Sequence, residues 1–136
     1  MQCALLFIGG SPFSWSVGRT THTTLSATEV EWFAQTRGAT KLQFFDGIFT
    51  FLGVPVTRPI ITFCDNAAAI CIAESELSNK RLKHVLTRMA YLQELIEDKL
   101  LTMKHCKTEG MLADIGTKIL GPSAFHRLRA QMVYEE

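Results

Sequence analysis

The sequence predicts an α/β domain in which helices cover a mixed β-sheet. Two observations lead to this class. The chain opens with two strand-like runs joined by a tight turn, and it then alternates helical segments with short strand-like ones. Neighbouring strands joined by a short turn are antiparallel, whereas strands separated by helices are commonly parallel. The predicted order is therefore two or three strands, a long helix, and two further strands that are separated and followed by helices.

The opening strands are predicted from their hydrophobic periods and from the turn between them. Residues 3–8, CALLFI, are apolar throughout, which predicts a strand inside the sheet. The Gly-Gly-Ser-Pro run at residues 9–12 supplies the turn. Residues 13–18, FSWSVG, alternate apolar with small residues, as a half-buried strand does. The polar run RTTHTT, residues 19–24, is either a third strand or a loop.

The hydrophobic period changes to that of a helix at Ser26. Helical spacing continues to about Phe51, with a possible break near residues 45–47, and Gly53 with Pro55 stops it. We expect Trp15, Trp32, Phe44 and Phe45 in the core. The remaining elements are a strand at 59–65, helices at 66–74 and 81–99, a strand at 100–106, and helices at 108–118 and 123–133.

Length and composition predict one folded domain spanning residues 1–136. A chain of 136 residues builds a single core, and 47% hydrophobic with 20% charged residues is ordinary for a folded protein. The formal charge of +1 provides no global field toward nucleic acid, so any polyanion site must be local. No stretch approaches the roughly 20 apolar residues that span a bilayer. We therefore expect no membrane partner.

The four cysteines are predicted to be free thiols. Cys3, Cys64, Cys71 and Cys106 show no pair with the short gap that zinc sites use. His105 beside Cys106 could ligate a metal, but nothing nearby in the sequence completes four ligands. Reduced thiols and the lack of a signal-peptide pattern predict an intracellular location, cytoplasmic or nuclear.

Two glutamates at the start of the long helix have different predicted roles. Glu29 and Glu31 are two positions apart, so they lie about 200° apart around the helix and cannot serve one site. Ser26 and Glu29 have the S-x-x-E spacing of a capping box, which gives Glu29 a structural role. Glu31 remains a candidate for chemistry, and its alternative is a solvated acid favoured by the helix dipole.

Two aspartates also lie at the edges of apolar segments. Asp65 ends the run IITFC, at the end of a strand where α/β sheets often place ligands, but it could equally cap the next helix. Asp114 lies within MLADIG, where an aspartate is unfavourable unless it has a partner. Carboxylates that converge repel one another unless a hard cation joins them, and Mg²⁺ prefers oxygen ligands. Glu31, Asp65 and Asp114 are therefore the candidate metal ligands.

A basic segment precedes and begins the helix at 81–99. One helix face carries Arg81, His84 and Arg88, at spacings of three and four, and these side chains could contact phosphates. The alternative interpretation is a solvated face. The segment contains Lys80, Arg81, Lys83, His84 and Arg88.

Five segments, in order across residues 9–120, carry a resemblance to one family. They are GGSPFSWSVGR, LSATEVEW, FCDNAAAI, NKRLKHV and TEGMLADIGTKIL. Together they resemble the ribonuclease H domain at the end of the Pol polyprotein of copia-type retrotransposons. The resemblance implies a ribonuclease H-like fold and partners in the reverse transcriptase and integrase regions of such a polyprotein.

The resemblance also implies a chemistry. The family's catalytic acids fall on Glu31, Asp65 and Asp114, which would bind two Mg²⁺ ions and hydrolyse the RNA strand of an RNA–DNA hybrid. Such ions can activate a water molecule and stabilise the leaving oxygen. The substrate would be recognised by duplex shape, phosphates and the 2′-hydroxyl.

The chain departs from the family at its start. The family has a fourth carboxylate, an aspartate on a strand ahead of the matched segments, and no acid precedes Glu29 here. Leu86 and Ile119 also differ from the family pattern. We therefore expect a domain that is partial at its N-terminus, without its first strand, and weak or absent catalysis. The alternative is a non-catalytic module that binds nucleic acid or a protein.

Overall fold

The computed structural model describes residues 1–19, 27–74 and 83–133, and these form a mixed α/β structure consistent with a ribonuclease H-like fold. Two 3₁₀ turns, Thr108–Gly110 and Leu112–Gly116, precede the last helix. The regular elements, in chain order, are β1 (Gln2–Ile8), β2 (Ser11–Gly18), α1 (Ala27–Phe51), β3 (Ile60–Cys64), α2 (Ala67–Glu74), α3 (Lys83–Glu97), β4 (Leu101–His105) and α4 (Pro122–Arg129).

The four strands form two pairs. β1 and β2 are antiparallel, and Gly9 and Gly10 make their turn with φ of 57° and 85°, which suits a two-residue hairpin. β3 and β4 are parallel and in register from Ile60 opposite Leu101 to Cys64 opposite His105. The predicted α/β class is confirmed. Within the described ranges, however, the strands make two small sheets instead of one continuous mixed sheet.

The long helix α1 is continuous, so the predicted break near residues 45–47 is wrong. Asp46, buried in this region, is held by a two-pronged contact from Arg58, with Nη2 2.6 Å from Oδ2 and Nε 3.2 Å from Oδ1.

The helix ends as predicted. Gly53 has φ of 69°, and Val54 donates back to the carbonyl oxygen of Phe49. This pattern terminates helices at a glycine.

The core lies between α1, α2, α3 and the β3–β4 pair. Trp32 of α1 and Leu92 of α3 are almost completely buried there, beside Cys64 and Leu101 of the two strands. The core prediction for Trp32 is confirmed, and Phe45 is partly buried. The prediction is wrong for Trp15 and Phe44, which are 67% and 64% exposed. None of the helices in the described ranges combines the length and hydropathy that a bilayer crossing requires.

The segment that carries Asp114 forms two 3₁₀ turns where a helix was predicted. A close approach to β1 accompanies this difference. A Cβ atom on Gly116 would lie 2.6 Å from the Cys3 sulfur, so the backbone packs directly on the strand at this point. The last helix ends at Arg129, short of the predicted 133. The predicted strand or loop over residues 20–24 lies outside the described residues.

We expect Leu92→Ala to lower the free energy of unfolding by about 2–5 kcal/mol, because it leaves a cavity between α1, α3 and the β3–β4 pair. Urea unfolding followed by circular dichroism measures this loss. Leu52→Ala is the matched control, since Leu52 is 63% exposed, and it should cost less than about 0.5 kcal/mol. Equal losses for the two variants would contradict the core assignment.

Candidate functional site

Glu31 is positioned by contacts between α1 and β3. The neighbouring Trp32 is only 2% exposed and anchors this part of α1 in the core. One turn after Glu31, the Gln35 amide donates to the backbone oxygen of Phe63 at 3.1 Å. Residues four apart share a helix face, so this bond also directs Glu31 toward β3. The Glu31 carboxylate therefore lies at the carboxyl end of that strand.

Asp65 lies where the parallel pairing ends. The last rung of the ladder is the bond from the Cys106 amide to the Cys64 carbonyl oxygen, at 2.9 Å, and Asp65 follows directly. The helix cap that Asp65 could have supplied comes from Asn66, whose side-chain oxygen accepts from the Ala69 amide at 3.1 Å. Helix α2 therefore does not require Asp65 as its cap.

These two acids share a cluster with a thiol. Ligand atoms of Glu31, Cys64 and Asp65 all lie within 4.8 Å of one another. Burial raises the pKa of Glu31, the negative charges of Asp65 and Asp114 raise it further, and Lys118 opposes them. Asp65 and Asp114 therefore both lie within electrostatic range of Glu31.

Asp114 lies at the side of this cluster. It is 8% exposed, on the second 3₁₀ turn, and outside the set within 4.8 Å. Its Oδ2 lies 2.8 Å from the Lys118 ammonium. The hydrogen bond to Asp114 is the main cause that raises the pKa of Lys118; burial opposes it, and the negative charges of Asp114, Asp65 and Glu31 add smaller contributions to the rise. Lys118 therefore belongs electrostatically to the carboxylate site.

Two residues at the site, Cys64 and Lys118, were not predicted from the sequence. The Cys64 sulfur is 4.0 Å from Glu31 Oε2 and 3.7 Å from the Asn66 carbonyl oxygen, and burial raises the pKa of its thiol. The predicted free thiol is confirmed at this position. The signals available in the sequence were the adjacency of Cys64 to Asp65 and the four-residue spacing from Asp114 to Lys118.

The donor atoms suit a hard divalent cation. Carboxylate oxygens of Glu31 and Asp65, with Asp114 beside them, are the ligands that Mg²⁺ prefers. A protonated sulfur at Cys64 is not such a ligand, because a thiol binds metal as the thiolate. The residues that could hold Mg²⁺ are therefore the three carboxylates.

The predicted cap at the start of α1 stays a prediction. Ser26 lies outside the described residues. Glu29 is 4% exposed, so it is not the solvated acid that a first helical turn usually carries.

The predicted phosphate contacts also stay predictions. Arg88 lies on α3 with its guanidinium 4.1 Å from the centre of the Phe33 ring, a cation–π contact between α3 and α1. Lys83 and His84 are in α3, but their side chains fall outside the described part of the chain, as do Lys80 and Arg81 entirely.

Glu31→Gln should alter the pH dependence of stability in EDTA. Because the folded chain raises the pKa of Glu31 above 4.5, folding favours the protonated form, and stability is lost as pH rises from about 4.5 through the folded pKa. The variant removes this loss. Urea unfolding at pH 4.5 and 7 should show a smaller decline for Glu31→Gln than for the unmodified chain.

Glu94→Gln, which changes an exposed glutamate on α3, is the control for this measurement. It should follow the pH dependence of the unmodified chain. Identical profiles for Glu31→Gln and the unmodified chain would contradict the electrostatic description of the cluster.

Comparison with known proteins finds relatives among retrotransposon polyproteins. The chain is 27% identical over 128 residues to the "Retrovirus-related Pol polyprotein from transposon RE1" of Arabidopsis thaliana, covering 94% of this chain and 9% of that protein. It is 27% identical over 121 residues to the RE2 polyprotein of the same plant, covering 89% of the chain and 8% of the relative. The TNT 1-94 polyprotein of Nicotiana tabacum is 25% identical, covering 89% of the chain and 9% of the relative.

No protein-family model matches the chain, and no solved structure matches it significantly. The chain spans about a tenth of the length of the polyproteins that it matches. It is thus similar, over most of its own length, to one short segment of retrotransposon Pol polyproteins.

Proposed function

We propose that this chain is a ribonuclease H-like domain derived from a retrotransposon Pol polyprotein, and that its chemistry is Mg²⁺-dependent hydrolysis of RNA in RNA–DNA hybrids. The convergence of Glu31 with Asp65, with Asp114 within electrostatic range, is the observation that carries the proposal. Three separate segments of sequence supply these acids. The similarity to Pol polyproteins supports the same reading.

Each carboxylate has a distinct support in the fold. Glu31 is oriented by the buried Trp32 and by the bond from Gln35 to β3. Asp65 extends from the end of the β3–β4 ladder, and Asp114 is held on its 3₁₀ turn. When bound, Mg²⁺ supplies activation of a water molecule and stabilisation of the leaving oxygen. Rigid placement of its ligands is what such a site requires from the protein.

Arg88 is the described residue that best fits a substrate contact. Its guanidinium lies over the ring of Phe33, and Phe33 is on α1, as is Glu31. Such stacking fixes the position of the charged group. Together with the preceding basic residues of the segment 80–88, it would contact phosphates without reading bases. Recognition of the hybrid then depends on its shape and charge.

We expect weak hybrid cleavage that requires Mg²⁺ or Mn²⁺, because no acid among residues 1–28 corresponds to the aspartate on the family's first strand. Asp65→Asn should abolish this cleavage and lower Mn²⁺ affinity by about tenfold, equivalent to about 1.4 kcal/mol. A hybrid with labelled RNA, resolved on a denaturing gel, measures the first quantity, and electron paramagnetic resonance of free Mn²⁺ measures the second.

Asp98→Asn removes an exposed acid after α3 and is the control for Asp65→Asn. It should leave both cleavage and Mn²⁺ binding unchanged. Robust turnover that Asp65→Asn abolishes would contradict the predicted weakness but support the nuclease. Metal binding that Asp65→Asn leaves unchanged would reject the proposed function.

The second candidate function is a non-catalytic module that binds nucleic acid. The stacked Arg88 at the basic start of α3 favours it, because phosphate binding needs no carboxylate site. This module would bind a hybrid or duplex in EDTA, with an affinity that falls as salt rises. Charge reversal at Arg81, Lys83 and Arg88 should then reduce both the affinity and its salt dependence, measured by fluorescence anisotropy. Unchanged affinity would reject this candidate.

Three exposed apolar side chains in the second half of α1 and just after it are candidates for contact with a protein partner. Phe44, Phe51 and Leu52 are 64%, 89% and 63% exposed, and large exposed apolar groups mark interaction sites when they are contiguous. The partner proposed for this surface is a neighbouring region of the Pol polyprotein, such as the reverse transcriptase or integrase region.

An intracellular location, cytoplasmic or nuclear, is part of the same proposal.

A further inference from the structure

The contact between Lys118 and Asp114 is built into the backbone as well as the side chains. The amides of Thr117 and Lys118 both donate to the Asp114 carbonyl oxygen, at 3.1 and 2.9 Å. This turn places Lys118 next to Asp114, and the Lys118 ammonium lies 2.8 Å from Asp114 Oδ2. The short segment that presents the acid therefore also presents a cation to it.

The charge of Lys118 reaches the whole carboxylate cluster. Its ammonium interacts with Asp65 and Glu31 in addition to Asp114, and Glu31 in turn is influenced by Lys118. An exposed ion pair normally contributes little to stability. Here the Lys118 side chain is 47% exposed, but the Asp114 side chain is only 11% exposed and two further carboxylates lie within range of the same cation, so the attraction is only partly screened by solvent.

We propose that Lys118 is a built-in countercation of the carboxylate cluster and that it competes with a divalent ion for Asp114 Oδ2. This inference rests on the proposed function, in which the same carboxylates hold Mg²⁺. A cation that binds Asp114 through Oδ2 must displace the ammonium from that oxygen. The Lys118 side chain is 47% exposed, and its long, flexible stem allows the ammonium to move into solvent.

The consequence is a site that is stable without a bound metal and moderate in its affinity for one. When all four groups are ionised, Lys118 reduces the cluster formed with Glu31, Asp65 and Asp114 from three net negative charges to two. That residual charge matches one divalent ion better than two. Lys118 is therefore a positioning residue that sets how strongly, and in what number, divalent ions bind.

The test is Mn²⁺ binding to the full chain at low salt, measured by electron paramagnetic resonance. Lys118→Met removes the charge and keeps most of the apolar length, and it should tighten Mn²⁺ binding on the order of tenfold. Lys118→Arg keeps the charge and should stay within about twofold of the unmodified chain. Lys107→Met removes the same charge from an exposed lysine and serves as the control.

Equal or weaker Mn²⁺ binding by Lys118→Met would overturn the inference, as would tightening of the same size in Lys107→Met. If neither the unmodified chain nor any variant binds Mn²⁺, the proposed metal-dependent function is rejected. Unfolding in EDTA then tests separately whether Lys118 neutralises the carboxylates. Lys118→Met should then lower the melting temperature by a few degrees. Asp114→Asn combined with it should remove most of this loss, and additive losses would reject the countercation.

Discussion

Electrostatic repulsion among three carboxylates is the constraint on which the site depends. The fold brings Glu31 to the carboxyl end of β3, which Asp65 directly follows, and it holds Asp114 close enough to raise the pKa of Glu31. Such an arrangement opposes folding unless something neutralises it, because buried like charges are costly. The protein meets this cost with the Lys118 ammonium and with a raised pKa at Glu31. Stability and the proposed metal binding therefore depend on the same few side chains.

The local elements were largely predictable from hydrophobic period and turn residues, because these effects act over a few positions. The hairpin at Gly9 and Gly10 and the glycine that ends α1 are examples. Non-local contacts were not predictable. The continuity of α1 past residue 45 accompanies a buried Asp46 that pairs with Arg58, and the 3₁₀ turns accompany close packing on β1. Neither contact has a signature in the local sequence.

The candidate site shows the same division. The three acids could be proposed from their places at the edges of apolar segments, but only the structure shows that Asn66 provides a cap for α2. Lys118 has a local signal, its four-residue spacing from Asp114, but the spacing alone does not show that the turn directs the ammonium onto the carboxylate. Exposed Trp15 and Phe44 contradict their predicted burial, because hydrophobicity alone does not reveal which apolar groups a fold leaves at its surface.

The contact of Gly116 with β1 links two distant parts of the sequence in their evolution. Gly116 lies between Asp114 and Lys118, and its backbone touches the Cys3 side chain without room for a Cβ atom. Any enlargement at either position would move the acid and the lysine together away from the strand. Substitutions at 3 and 116 should consequently be correlated among related sequences, with a residue larger than glycine at 116 only where residue 3 is smaller than cysteine.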